Sequence, residues 1–329
     1  MILPRRKFLQ FAGASTVASA YSRVATAQTY PTRPITMIVP FPPGGVTDPV
    51  GRILAERMHV SLAQPVVIEN VAGANGNIGT GRVARAAPNG YTLSFGGWNT
   101  HVANGAVYTL PYDVLNDFEP VSLFASYALV IVAKKKMPAN DLNELIAWLK
   151  ANPGNASQGS AGIGSMGHCT GVFFQNITGT RFQHVPYRGS APAMQDLVAG
   201  QIDMMIDAPV TTLPQVRAEA IKAYAVLAKS RLAAAPNIPT VDEAGLPGLY
   251  ALNWFAFWAP KGTPKDVIGK LNDAVVGALA DPSVRQRLTD IGFEIPTREQ
   301  QTPEALAAFQ KAEIEKWWPI IKAAGIKAE

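Results

Sequence analysis

The reactive side chains of this sequence are few and scattered. Histidines stand at positions 59, 101, 168 and 184, and the one cysteine is Cys169. No His-x-x-x-His or His-Glu spacing joins them, so no zinc-type ligand set can be read and no metal is expected. A lone cysteine allows neither an internal disulfide nor a cysteine-cluster metal site, and Cys169 reads as a buried, inert thiol. Nucleophilic catalysis would need a serine beside a base, with Ser165 or Ser190 attacking and His168 or His184 taking the proton. A nucleophile elbow requires glycine two residues before the serine, however, and Ile163 stands there before Ser165. No carboxylate pair suggests an acid/base couple.

Loops rich in glycine and small polar residues are far more numerous. They are "PFPPGGVTDP" (40–49), "NVAGANGNIG" (70–79), "GGWNT" (96–100), "GSAGIGSMG" (159–167), "YRGSAPA" (187–193) and "DAP" (207–209). The first resembles a phosphate loop without its lysine. There Gly44 and Gly45 can turn backbone N–H groups toward a ligand, and Asp48-Pro49 reads as a helix cap followed by a first helical residue. Gly162 to Gly167 matches the dinucleotide pattern G-x-G-x-x-G. Tyr187 and Arg188 occupy the place of its ribose-binding acid, though, and the first acid is Asp196. No nucleotide or other cofactor is therefore expected. His168 opens a helix beside the fourth loop, either as a pocket donor or as a packed helix residue. Free amides and helix N-termini favour anions, so the loops together point to a small-anion site built mostly from backbone.

These loops need strands before them and helices after them, and the chain supplies that alternation. Short β-branched runs at 35–39, 65–69, 91–95 and 129–134 alternate with helical patterns at 49–60, 79–87, 99–108 and 142–150. A second series places helices at 166–177, 191–198 and 211–219, and strands at 182–186, 201–206 and 221–228. Such alternation predicts mainly parallel sheets flanked by helices, and two series predict two α/β lobes. Residues 110–119 read as turn-rich. Two long helices close the chain at 264–280 and 303–324, with Thr263-Pro264 and Thr302-Pro303 as their starts. At least one of Trp317 and Trp318 should pack on the body.

The ends change the charge argument. Arg5-Arg6-Lys7 precedes an uncharged run from Phe8 to Ala20, and Ala25-Thr26-Ala27 forms a small-x-small cleavage pattern. Residues 1–27 therefore read as an export signal of twin-arginine type, removed in a periplasmic mature protein. The formal charge is +5 over 329 residues. The signal holds four cations and no acid, so the mature chain falls to +1. No basic stripe for nucleic acid remains.

The stretches "RPITMIVPFPPGGVTDPVGRILAERM", "VVIENVAGANGNIGTGRVARAAPNGYTL", "GSAGIGSMGH" and "HVPYRGSAPAMQDLVAGQID" closely resemble the Bug family of periplasmic solute-binding proteins. That family is similar to the receptor subunit of tripartite tricarboxylate transporters. The resemblance implies a two-lobed, type II-like Venus-flytrap fold and no enzyme activity. It implies a small organic carboxylate as ligand, a membrane permease as partner, and a monomer. Lobe 1 is expected over 28–128 plus 250–329, and lobe 2 over 129–249. Carried over by the resemblance, the ligand contacts are Pro43, Gly44, Gly45 and Thr47 in lobe 1, with Asp48 organising the loop. In lobe 2 they are Ser160, Ala161, Gly164 and Ser165, with Arg188, Gly189 and Asp207 as weaker candidates. Trp98 stands where a smaller polar residue is expected. It either packs at the domain edge or offers a flat wall to an aromatic solute, with Asn99 and Thr100 supplying hydrogen bonds. An exported serine hydrolase and a ligand sensor for a signalling receptor are the alternative readings.

Overall fold

The computed structural model describes residues 30–43 and 47–327. The chain divides into a short N-terminal unit, Met1–Thr32, and a main unit, Arg33–Glu329, to which everything below belongs. In chain order the strands are β1 (Ile35–Val39), β2 (Val66–Asn70), β3 (Thr92–Gly97), β4 (Phe118–Ala128), β5 (Val130–Lys134), β6 (Ser157–Ser160), β7 (Gln183–Pro186), β8 (Met204–Asp207), β9 (Ile221–Val226) and β10 (Leu252–Pro260). The helices are α1 (Thr47–Leu62), α2 (Asn77–Ala84), α3 (Asn104–Val107), α4 (Leu142–Ala151), α5 (Met166–Thr178), α6 (Ser190–Ala199), α7 (Pro209–Arg217), α8 (Lys265–Ala280), α9 (Pro282–Asp290) and α10 (Pro303–Ala323).

Two five-stranded sheets result, in the orders β2-β1-β3-β10-β4 and β7-β6-β8-β5-β9. They share one plan. In each, four strands run the same way and the fourth in the order, β10 or β5, runs against both its neighbours. The expected mainly parallel, helix-flanked sheets are therefore present, each with one antiparallel insertion. Leu129 alone joins β4 to β5, and residues 227–251 join β9 to β10. These connections meet in a ring of backbone bonds: Leu129 N to Ala251 O (3.1 Å), Leu227 N to Leu129 O (2.8 Å) and Ala251 N to Leu227 O (3.0 Å).

The first core centres on Phe95, Phe124 and Phe257, all fully buried, with ring centroids 4.3–5.8 Å apart. Strands β1, β3, β4 and β10 are buried along most of their length, which explains why they show no in-out alternation, while the edge strand β2 is half-exposed. The turn-rich reading of 110–119 overlaps the start of β4. Of the two predicted long-helix starts, only Thr302 caps, its hydroxyl accepting from Ala305 N at 3.1 Å. Thr263 instead donates to Pro260 O at 2.7 Å, and α8 begins without a side-chain cap. Trp317 is fully buried, and the Trp318 indole donates to Val102 O at 2.9 Å, so the last helix is fixed to the body as expected.

Candidate functional site

Strands β1 and β3 are parallel neighbours, with Ile38 opposite Ser94. The loops that follow them therefore leave from the same edge of the sheet, where α1 also begins. Pro43 is exposed on the first of these loops; Gly44 and Gly45 lie outside the described residues. Thr47 is the first residue of α1 and is 6% exposed, and its hydroxyl has no hydrogen-bond partner among the described residues. Asp48 falls inside the first helical turn rather than before it. Its carboxylate takes Arg52 through two nitrogens, each at 3.1 Å, and Asn70 Nδ2 at 3.1 Å. Asn70 also donates to Phe41 O, so Asp48 ties the helix start to the loop and to the end of β2.

After β3 the chain enters a π-helical stretch, Asn99–Ala103. Trp98 is fully buried and meets Trp317 edge-to-face at 5.2 Å, and its indole N–H has no partner among the described residues. Asn99 is half-buried. The Thr100 hydroxyl accepts from Gly97 N at 3.1 Å and lies 2.9 Å from His101 Nδ1, so it is engaged within its own loop. His101 stacks on Trp258 at 3.7 Å, and burial pushes its pKa down to about 3.

The second sheet presents a matching edge. Strands β6 and β8 are parallel with Gly159 opposite Met205, which sets the loop after Ser160 beside Asp207. Ser160 is a hub inside that loop. Its hydroxyl donates to Gly162 O (3.1 Å) and accepts from Gly162 N (3.2 Å), so His184 Nε2, at 2.7 Å, must be its second donor. Ala161 is exposed beside it. Ser165 caps α5, accepting from His168 N at 3.3 Å. Gly164 N donates to His168 Nδ1 at 3.1 Å, which puts the proton of a neutral His168 on Nε2 as a donor. His168 and His184 stack 3.6 Å apart, within 4° of parallel. Burial, with His184's charge a lesser cause, pushes His168 down to about 4, and burial does the same to His184. Gly167 lets this helix start close on β8, since a Cβ there would sit 2.4 Å from Ile206 O. The first-turn amides of Met166 and Gly167 are then helix-end donors of the kind that take an anion.

Asp207 ends β8 where α6 and α7 begin. Ser190 donates to its Oδ1 and the Thr211 hydroxyl lies near its Oδ2, both at 3.0 Å. The starts of both helices thus already face the protein's own carboxylate. Burial pushes the Asp207 carboxyl up, against bonds from Ser190, the Ala208 amide and Thr211. Arg188 is exposed, and Gly189 makes its turn at φ 114°. Neither Ser165 nor Ser190 bonds a histidine ring among the described residues. The serine–imidazole contact near these loops, Ser160–His184, is part-buried and ties the loop to β7. Cys169 is buried, and burial pushes its thiol up to about 12.

One part of the site was not among the sequence-derived residues. Ala74 and Asn75 both adopt positive φ, 46° and 52°, in a left-handed turn between Gly73 and Gly76. Asn104 holds this turn, donating to Asn75 O (3.0 Å) and Asn77 Oδ1 (2.6 Å) and accepting from Asn75 Nδ2 (3.0 Å). The asparagine–glycine run at 73–77 was the available signal, because Asn and Gly tolerate left-handed backbone.

Two sheets of one plan, linked by a backbone ring and carrying glycine-rich loops and helix N-termini at their strand ends, define a two-lobed solute-binding protein. A family model described as "Tripartite tricarboxylate transporter family receptor" matches residues 50–326. BugT of Bordetella pertussis is 38% identical over 304 residues, covering 92% of each chain. The structure of the periplasmic binding protein BugD is 39% identical with a TM-score of 0.77, over 91% of this chain and 100% of that one. MatC of Rhodopseudomonas palustris, solved with bound malate, is 38% identical with a TM-score of 0.78, over 89% of this chain and 100% of that one. The chain belongs to the tripartite tricarboxylate transporter receptor family.

Proposed function

We propose that this protein is exported to the periplasm, captures a small organic carboxylate between lobes 28–128 plus 250–329 and 129–249, and presents it to a membrane permease. The export signal this requires, residues 1–27, lies outside the described residues. The observation that carries the proposal is the Thr47 hydroxyl, buried at the start of α1 without a partner among the described residues. Leaving such a group unpaired costs about 1–3 kcal/mol, which a carboxylate accepting its hydrogen bond would recover. On the other lobe, the start of α5 and the Nε2–H of His168 face the same chemistry, with Ser160 and Ser165 as loop organisers. MatC, which binds malate, supports a carboxylate.

Because Trp98 is already packed edge-on against Trp317, the reading does not require an aromatic solute. Mono- and dicarboxylates, aliphatic or aromatic, all belong to the class. Asp207 disfavours a second negative charge near the starts of α6 and α7. Binding acts by holding the closed state, which requires contacts with both lobes, since a solute held equally open or closed shifts nothing. The hydrolase alternative gains little from the part-buried Ser160–His184 pair, because the Ser160 hydroxyl is also bonded to Gly162 O and N within its own loop. Thermal-shift measurements with a panel of carboxylates, sugars and cationic solutes test the proposal. A midpoint raised by carboxylates alone supports it, and one raised only by sugars or cations overturns it. Pull-down of membrane proteins with and without solute separates permease from signalling partners.

A further inference from the structure

The loop between β6 and α5 was expected to touch the solute through Gly164, but the geometry gives that glycine a different neighbour. Its amide is engaged with His168 Nδ1. Its φ is +74°, and a Cβ built there would lie 3.2 Å from both methyl groups of Val107 and 3.7 Å from the Val107 Cβ. Val107 ends α3, which packs with the first sheet's helices, whereas Gly164 belongs to the second sheet. The contact therefore joins the two lobes beside the carboxylate-facing loops.

Val107 stands on a fixed platform. Asn104, one turn earlier, is bonded to Asn75 and Asn77, and Tyr112 OH donates to Asn77 Oδ1 at 3.1 Å. Gly105 lies so close to Trp318 that a Cβ would come within 2.8 Å of its ring. A second contact between the lobes lies along α5, where Phe173 meets Trp317 at 5.9 Å and Lys316 sits over both rings. Glycine suits the left-handed backbone at 164, and the tight approach a Cβ would make there is to the Val107 methyl groups, which a cysteine at 107 would relieve.

We propose that Val107 is a positioning residue for solute capture: docking of Gly164 on Val107 seals the cleft, and a solute enters or leaves only when the two part. The proposal rests on reading the cleft as the solute site, but its test needs no solute. The Cβ separation of 3.7 Å matches a disulfide, for which about 3.8 Å is typical. In a V107C/G164C double variant, mild oxidation is expected to leave one free thiol, Cys169. It should also lower the radius of gyration of the solute-free protein in small-angle scattering, reversibly with reductant. Failure of the disulfide to form in a folded variant overturns the proposal, as does a disulfide that leaves the radius unchanged, because the contact would then be permanent.

Should G164C disturb the loop, V107C alone decides the matter. Its thiol should be alkylated at least tenfold faster than Cys169 under native conditions. Equal rates, set by global unfolding, would refute a parting contact. Absence of any carboxylate-induced thermal shift in the wild type would sink the function reading while leaving both results to judge the gate.

Discussion

Lowering the pH from 7 to 5.5 should destabilise the protein through three histidines that the fold holds neutral. His101, His168 and His184 are held down to about 3, 4 and 4 by burial, against an ordinary 6.5. Between those values and 6.5 the unfolded chain binds more protons than the folded one, so stability rises with pH across that window and is fully present above it. A fully developed difference is worth about 1.4 kcal/mol per pH unit. From pH 7 to 5.5 each such histidine then accounts for about 1 kcal/mol. Part-exposed His184 contributes less because solvent screens it. The sum is roughly 3 kcal/mol, a fall of roughly 5 °C in Tm for a chain of this size.

Asp113, Asp203 and Asp281, whose pKa values are lowered, withdraw their support only below the ordinary carboxylate range. Asp207 and Glu313, whose values are raised, act in the opposite direction. Urea unfolding of the wild type and His168→Gln at pH 7, 6.5, 6 and 5.5 separates these effects. The variant should be less stable at pH 7 yet lose about 1 kcal/mol less over the window. Parallel lines for the two proteins, or a flat wild-type profile down to pH 5.5, would refute the reasoning.

Other substitutions probe the two loop edges. Thr47→Val removes an unpartnered hydroxyl at nearly constant shape, so solute-free Tm should hold or rise slightly. Carboxylate affinity should weaken about tenfold, which calorimetric titration reads. Ser160→Ala leaves His184 Nε2–H and Gly162 N–H without their acceptor, and chemical denaturation should show a loss of about 1–3 kcal/mol. Asp207→Asn keeps an acceptor for Ser190 but removes the charge. Dicarboxylates should then bind severalfold tighter while monocarboxylates change little, by the same titration.

The parts legible in the sequence were those governed by local rules. Strand β1 at 35–39, helix α4 near 142–150 and α5 near 166–177 follow from periodicity and caps, with Asn152 capping the end of α4. Strands β4, β6 and β10 were not foreseen. The run "FEPVSLFASYA" holds a proline and is buried continuously from Val121 onward, so it shows no alternation. The run "SQGS" is short and polar. Strand β10 is the antiparallel strand of its sheet, inserted after a long connection, where a strand-helix rhythm reserves no place for it. Helix α9 also went unread, although Asp281 caps it by accepting from Ser283 N at 2.9 Å.

At the site, residue types showed which loops mattered but not how their atoms are committed. The roles of Thr100 and Gly164 depend on hydrogen bonds to His101 and His168, and Asp207's on two helix starts meeting at one carboxylate. Those partnerships arise from the tertiary fold, so spacing along the chain does not encode them directly.

The central claim is that two opposed loop edges grip a carboxylate, and calorimetric titration of the wild type beside Thr47→Val tests it most directly. With malate, adipate and benzoate as probes, at least one should bind the wild type one-to-one in the micromolar range, about 8 kcal/mol, and bind the variant about tenfold more weakly. Equal affinity in the two proteins, or binding of sugars and cationic solutes in place of every carboxylate, would contradict the account.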